Sequence, residues 1–150
     1  MAATAAGLAA ALFDGQAHHP GALAAPVTTD HPHLKLAARE LEAYFKGGLQ
    51  RFSVPLDPIG TAFQQAVWLA LLQIDCGALS TYSAIASRIE KPLAVRAVGA
   101  AIGRNPISII VPCHRVVGRD GSLTGYAGGL RRKAALLQLE GAPLRSQTWQ

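Results

Sequence analysis

The sequence predicts an α+β fold in two parts, a short N-terminal region over residues 1–57 and a larger C-terminal domain over 58–150. Three observations carry this. Apolar residues recur at helical spacing in several stretches after residue 33. The β-branched run "ISIIV" (107–111) has the composition of a buried strand. Between them "RFSVPLDPIG" (51–60) holds two prolines and a glycine, which marks a linker or domain boundary. Half of the 150 residues are hydrophobic and 15% are charged, enough to build a packed globular core.

The opening "MAATAAGLAAALFDG" is apolar but has no Lys or Arg before its apolar run, so it does not read as a secretory leader. No apolar run approaches the roughly 18 residues of a membrane span. The two cysteines, Cys76 and Cys113, make no disulfide framework. A soluble chain in a reducing, cytoplasmic setting is expected. In "HPHLKLAARELEAYFKGG" the residues Leu34, Ala37, Ala38, Leu41, Tyr44 and Phe45 follow a helical stripe that stops at Gly47.

The C-terminal domain begins with Thr61 and Gln64, a capping box ahead of a helix that buries Phe63, Val67, Trp68 and Leu71. After a turn at Asp75–Gly77, Ser80 and Thr81 can cap a short helix through about Ile89. Pro92 suits the first turn of the next helix, "PLAVRAVGAAIG", ending at Gly103. These two helices around "RIEK" fit a helix-turn-helix. The second is built mostly from Ala, Val and Gly, so its backbone can approach a partner closely, and Arg96 projects alone from it. "GRDGSLTGYAGGL" (118–130) reads as a loop, and "LRRKAALLQLEG" as a closing helix that ends near Glu140.

The formal charge of +5 is unevenly placed. Residues 1–87 carry four Lys/Arg against six Asp/Glu, whereas residues 88–133 carry nine against two. Such a segment suits a polyanion whose phosphates release counterions on binding, and it equally suits a solvated basic face.

Within that basic segment lies "IIVPCHRVVG" (109–118), with a thiol beside an imidazole. Four readings of Cys113 compete: a buried structural cysteine, a metal ligand, a catalytic thiolate and a Cys-His hydrolase nucleophile. Zinc finds poor support, because no CxxC or HxxxH spacing exists and His18, His19, His31 and His33 occupy a Pro/Gly-rich polar stretch. A nucleophilic thiol near pKa 8.5 needs a base, and the base an orienting carboxylate. Neighbours on an extended strand face opposite ways, so His114 reaches Cys113 only through a tight turn or a bridging water. Of the acids after Cys113, Asp120 lies in a DG turn, which leaves Glu140 as the better orienter. The hydrolase reading leaves the basic segment unexplained.

The stretch "NPISIIVPCHRVVGRDGSLTGYAGGL" resembles the active-site region of the methylated-DNA–protein-cysteine methyltransferases, the O(6)-alkylguanine-DNA alkyltransferases. "GTAFQQAVW", "TYSAIASRI", "RAVGAAIGRNP" and "LLQLEG" follow in family order, so the resemblance covers residues 58–141. It implies a ribonuclease-H-like N-terminal domain, here shortened, because "GLAAALFDGQAHHPG" is similar only to the last part of the family's sheet. It also implies a winged-helix-like C-terminal domain. Cys113 would be the alkyl acceptor, His114 its base through a water, and Glu140 the orienter of His114. Asn105 would tighten the turn behind the site. Arg96 would enter the DNA stack as the flipped base leaves, and Tyr82 would press on the 3′ phosphate and help protonate the guanine. Ser83, Lys91, Ala94, Ala97 and Arg119 would meet DNA, while Val116, Tyr126 and Ala127 would line the guanine pocket.

The resemblance further implies no cofactor and single-use transfer from O(6)-alkylguanine, and O(4)-alkylthymine, in duplex DNA by a monomer. Some family members hold a structural zinc in the N-terminal domain, but the first 57 residues here lack cysteine, and Cys76 reads as structural. Two other classes stand beside this one. Alkyltransferase-like proteins bind the lesion without chemistry, but they replace the acceptor cysteine that is intact here. A helix-turn-helix regulator would carry longer polar side chains for base-edge readout than "LAVRAVGAAI" offers.

Overall fold

The computed structural model describes residues 1–20 and 25–144, so residues 21–24 and 145–150 lie outside the described residues. Strand β1 (Ala2–Ala3) pairs antiparallel with β2 (Leu8–Ala10). The same segment then binds both ends of the chain's middle. Leu8 exchanges backbone hydrogen bonds with Pro55 and Asp57, and Ala11 with Pro106 and Ser108. Gly7 allows this approach, since a Cβ there would stand 2.6 Å from the Pro55 carbonyl oxygen.

Helix α1 (Pro32–Phe45) has proline in its first turn and His31 as N-cap, and the chain leaves it through Gly47 at φ +78°. Ala37 and Tyr44 point inward as expected, but Ala38 is exposed and Phe45 is 52% exposed, which corrects the predicted stripe. The inward place between Ala37 and Tyr44 goes to Glu40. Its carboxylate accepts from the Ser53 and Val54 amides and the Ser53 hydroxyl, tying the linker to α1.

Helix α2 (Ala62–Leu71) opens with the capping box of Thr61 and Gln64, both bonds of which are made. Replacing Thr61 by alanine is expected to cost about 1 kcal/mol, read as a lower urea midpoint with an unchanged slope. Val67, Trp68 and Leu71 are buried, and the Trp68 indole donates to the Ala101 carbonyl at 2.9 Å. Thr81 caps α3 (Tyr82–Arg88), and α4 (Val95–Gly103) follows across a turn in which Glu90 takes φ +61°. Pro92 lies in this turn, ahead of the helix rather than in its first turn as predicted.

The run 107–111 is not a strand. Val111 donates to the Ile107 carbonyl and Ile110 to that of Ser108, so the backbone folds on itself, with Ile109 at φ +72°. Only an isolated bridge to Ala11 is strand-like. β-Branched residues are here because the turn is buried. The chain then passes through a 3₁₀ turn (Cys113–Arg115) into β4 (Val116–Val117), which pairs parallel with β3 (Ser80–Thr81). A glycine-rich loop leads to α5 (Leu130–Leu139). One apolar core joins both parts of the chain: Leu8, Ala37 and Val54 pack with Val67, Ile85, Val98, Ile107 and Val111.

Candidate active site

Cys113 and His114 share the 3₁₀ turn but meet different surroundings, Cys113 a cavity and His114 the Glu140 carboxylate. Cys113 is 5% exposed and lies at the wall of a cavity of about 340 Å³. Its lining includes Tyr82 from α3, Gly99 and Ile102 from α4, and Tyr126 and Ala127 from the loop. The loop's backbone is stitched to the N-terminal region, where Ala17 donates to the Ala127 carbonyl, and Ala17 and His18 complete the wall. The Val116 side chain lies wholly inside the core, where β4 pairs the residue with Ser80, so only its backbone is left for the expected pocket role. A larger cleft of about 540 Å³ lies elsewhere, between the 50–56 linker and residues 72–76, and Cys76 opens onto it.

The partner of the Cys113 sulfur is Asn105. Its amide donates to Sγ at 3.2 Å and to the Val111 carbonyl at 2.9 Å, while its oxygen accepts from the Ile107 amide. One buried side chain thus closes the 105–111 turn and orients the thiol. Burial pushes the Cys113 thiol up; the Asn105 hydrogen bond, the Lys133 charge and nearby backbone amides pull only partly the other way. The group therefore rests as a thiol and needs a base.

His114 is fully buried, with Nε2 2.8 Å from Glu140 Oε2. Burial alone would raise the Glu140 carboxyl, but hydrogen bonds with His114, Arg115 and Tyr44 outweigh it and hold the group well below the usual carboxylate range. An ionised carboxylate only accepts, so Nε2 carries the imidazole proton and Nδ1 is the basic nitrogen. Nδ1 is buried without a protein partner. Burial lowers the His114 pKa, against the opposing pull of Glu140, so the ring is neutral at physiological pH.

Arg115 completes the cluster. Its guanidinium donates to Glu140 Oε1 at 2.8 Å and Oε2 at 3.0 Å, and to the Ile74 carbonyl at 2.6 Å. The Tyr44 hydroxyl donates to Glu140 Oε2 at 2.6 Å from α1. Sequence reasoning missed both. Arg115 was findable, since a buried acid beside a neutral imidazole needs a cation; Tyr44 gave no signal beyond its place in an apolar stripe. It also missed Lys133, which is fully buried and donates to the Thr124 carbonyl at 2.8 Å. Burial pushes the Lys133 amine down to about 8. Its spacing to Leu136 and Leu137, three and four residues on, marks the inward face of α5.

The surface beside the cavity carries the remaining predicted residues. Tyr82 lines the cavity, and its hydroxyl accepts from Thr124 at 3.0 Å. Tyr126 packs edge-on to Phe13, and its buried hydroxyl lies beside Ser108 without a hydrogen bond of good geometry. Arg96, Ala97 and Lys91 are exposed on and before α4, Ala94 and Ser83 are half-buried, and Arg119 is exposed on the loop. Asp120 is exposed and accepts from Ser122 instead of reaching His114. Among the described residues, no group of three or more His, Cys, Asp or Glu could hold a metal ion. No helix among them is long and apolar enough to cross a membrane.

Comparison with known proteins agrees with this geometry. A family model for the DNA-binding domain of 6-O-methylguanine DNA methyltransferase matches residues 62–142, and one for the ribonuclease-like domain of the same family matches 1–58. The chain is 61% identical over 103 residues to the methylated-DNA–protein-cysteine methyltransferase of Haemophilus influenzae. That match covers 68% of this chain and 58% of the relative, less than two thirds of its length. A crystal structure of the Mycobacterium tuberculosis OGT in complex with DNA is 57% identical with a TM-score of 0.70, over 73% of this chain and 69% of that one. The S. pombe ATL in complex with DNA is 30% identical with a TM-score of 0.52, over 57% of this chain and 82% of that one.

Proposed function

Because the chain belongs to the 6-O-methylguanine DNA methyltransferase family through both of its domains, we propose that it repairs duplex DNA by moving an alkyl group from O(6) of guanine onto Cys113. O(4)-alkylthymine is the second substrate, and no cofactor takes part. One observation carries the reading: a buried thiol at a cavity wall, next in sequence to an imidazole whose Nε2 is held by a carboxylate and whose Nδ1 is unpartnered. His114 Nδ1 takes the thiol proton through a bridging water. The thiolate attacks the alkyl carbon in line, the carbon–sulfur bond forms, and the carbon–oxygen bond breaks with its electrons passing to guanine. Guanine gains a proton, aided by the Tyr82 hydroxyl, which balances the one lost from the thiol. The thioether has no leaving path, so each chain acts once.

A base inside a duplex cannot reach a buried sulfur, so the nucleotide must rotate out at a cost of a few kcal/mol. The small-residue surface of α4, with Ala94 and Ala97, lets the backbone approach the sugar edges, while Ser83, Lys91 and Arg119 hold phosphates. Tyr82 presses on the phosphate beside the target, and Arg96 fills the gap that the base leaves. Substituting Arg96 by alanine is expected to slow transfer by about tenfold or more, while the salt dependence of binding falls by only about one phosphate contact. Transfer at the full rate in that variant would remove the filling role. The protein works as a monomer in the cytoplasm, where its thiols stay reduced.

The test is recovery of a restriction site that contains O(6)-methylguanine. Cleavage should return in proportion to protein added, up to one site per chain. A lesion that stays bound but resists cleavage at molar excess of protein would sink the reading in favour of lesion binding without chemistry.

A further inference from the structure

We propose that Tyr44, from the N-terminal helix, is a positioning residue that tunes the base: its hydroxyl shares Glu140 Oε2 with His114 and so limits how much proton affinity the carboxylate lends the imidazole. This rests on the reading of His114 as base, and it extends that site into the other half of the chain. Glu140 Oε2 receives three donors, Tyr44 at 2.6 Å, His114 Nε2 at 2.8 Å and Arg115 at 3.0 Å, while Oε1 receives Arg115 alone. The carboxylate side chain is 1% exposed, so protein donors set its charge distribution without water. Each donor on Oε2 withdraws negative charge from the others, an effect that is strong where the dielectric is low.

Tyr44 is itself 2% exposed and locked by Phe45 and Phe52 at ring separations of 5.4 and 5.6 Å, which aim the hydroxyl at the site. Burial and the adjacent carboxylate keep its pKa well above the usual phenol value, so it stays a donor throughout the working pH range. The charged or titratable groups facing this pair are Arg115 from the 3₁₀ turn, Lys133 from α5 and Cys76 from the 75–77 turn. Burial brings Lys133 down to about 8 and pushes the Cys76 thiol up, so neither changes charge on the acid side, where the lowered His114 titrates. The consequence is a dependence of thiol activation on correct seating of α1, although no atom of α1 lines the alkyl pocket.

Tyr44→Phe removes the one oxygen and keeps the ring. The single-turnover rate of methyl transfer against pH should rise with an acid-side midpoint set by His114. In Tyr44→Phe that midpoint is expected to move up by roughly half to one pH unit, since Oε2 then gives more charge to the imidazole. Phe52→Leu, which loosens the same packing without touching Glu140, should lower thermal stability and leave the midpoint where it is. An NMR titration of the His114 ring in both variants reads the same shift without requiring transfer. An unmoved midpoint and ring titration in Tyr44→Phe, or equal shifts in Phe52→Leu, would overturn the inference. A wild-type chain that transfers nothing while its His114 titration still responds to Tyr44→Phe would instead overturn the catalytic reading and keep the coupling.

Discussion

Replacing Cys113 by alanine is expected to abolish alkyl transfer completely while leaving selective binding of the lesion duplex. Cys76, the other thiol, opens onto a different cleft, and no other nucleophile of comparable strength stands at the cavity wall. Binding persists because Tyr82, Arg96 and the α4 surface are untouched, and because the smaller side chain leaves more room for the alkyl group. Folding should change little, since the hydrogen bond that Asn105 donates to the sulfur is a weak one at 3.2 Å. Radiolabel retained on DNA and a gel-shift affinity within a few-fold of wild type would together fit. Label appearing on the variant protein would place the acceptor elsewhere.

The second large effect is expected from Glu140→Gln. A neutral amide in place of the carboxylate leaves the buried Arg115 guanidinium uncompensated, which costs about 3–5 kcal/mol. The amide also offers His114 an N–H or a weaker acceptor, so the Nε2–H tautomer is no longer enforced, and transfer should slow by about 10²–10⁴-fold. The pH dependence gives a separate signature. The folded Glu140 carboxyl titrates below its unfolded value of about 4.3. Its stabilisation is therefore complete above that value and is lost as pH falls through the folded one. Wild-type stability should drop over this acid window by more than that of the glutamine variant. Identical acid limbs in urea denaturation would remove Glu140 from the account.

Much of the site is legible in the sequence, for reasons that differ from residue to residue. Thr61 with Gln64 and Thr81 with Ala84 declare their helices because capping is a local hydrogen-bond requirement, and the structure makes these bonds. Glu140 emerges by elimination, since few acids follow Cys113 and Asp120 is spent on its own turn. The 107–111 segment misleads because β-branched composition reports burial, and here the buried backbone pairs with itself and with the Asn105 side chain instead of with a sheet. Tyr44 is invisible for another reason: the hydroxyl of an apolar-stripe tyrosine finds its partner 96 residues away, and the tertiary cluster of Tyr44 with Ile109 and Leu136 brings the two together. Lys133 hides in a basic run whose solvated neighbours, Arg131 and Arg132, look the same in sequence.

The central claim is that Cys113 is an irreversible, single-use acceptor. It is tested most directly by mixing the protein with excess duplex containing O(6)-methylguanine and mapping the product by mass spectrometry. The account predicts one added methyl group per chain, confined to the peptide that holds Cys113, with no further repair after the first equivalent. An unmodified Cys113 peptide in a sample whose DNA has lost its methyl groups, or repair that continues past one lesion per chain, would contradict it.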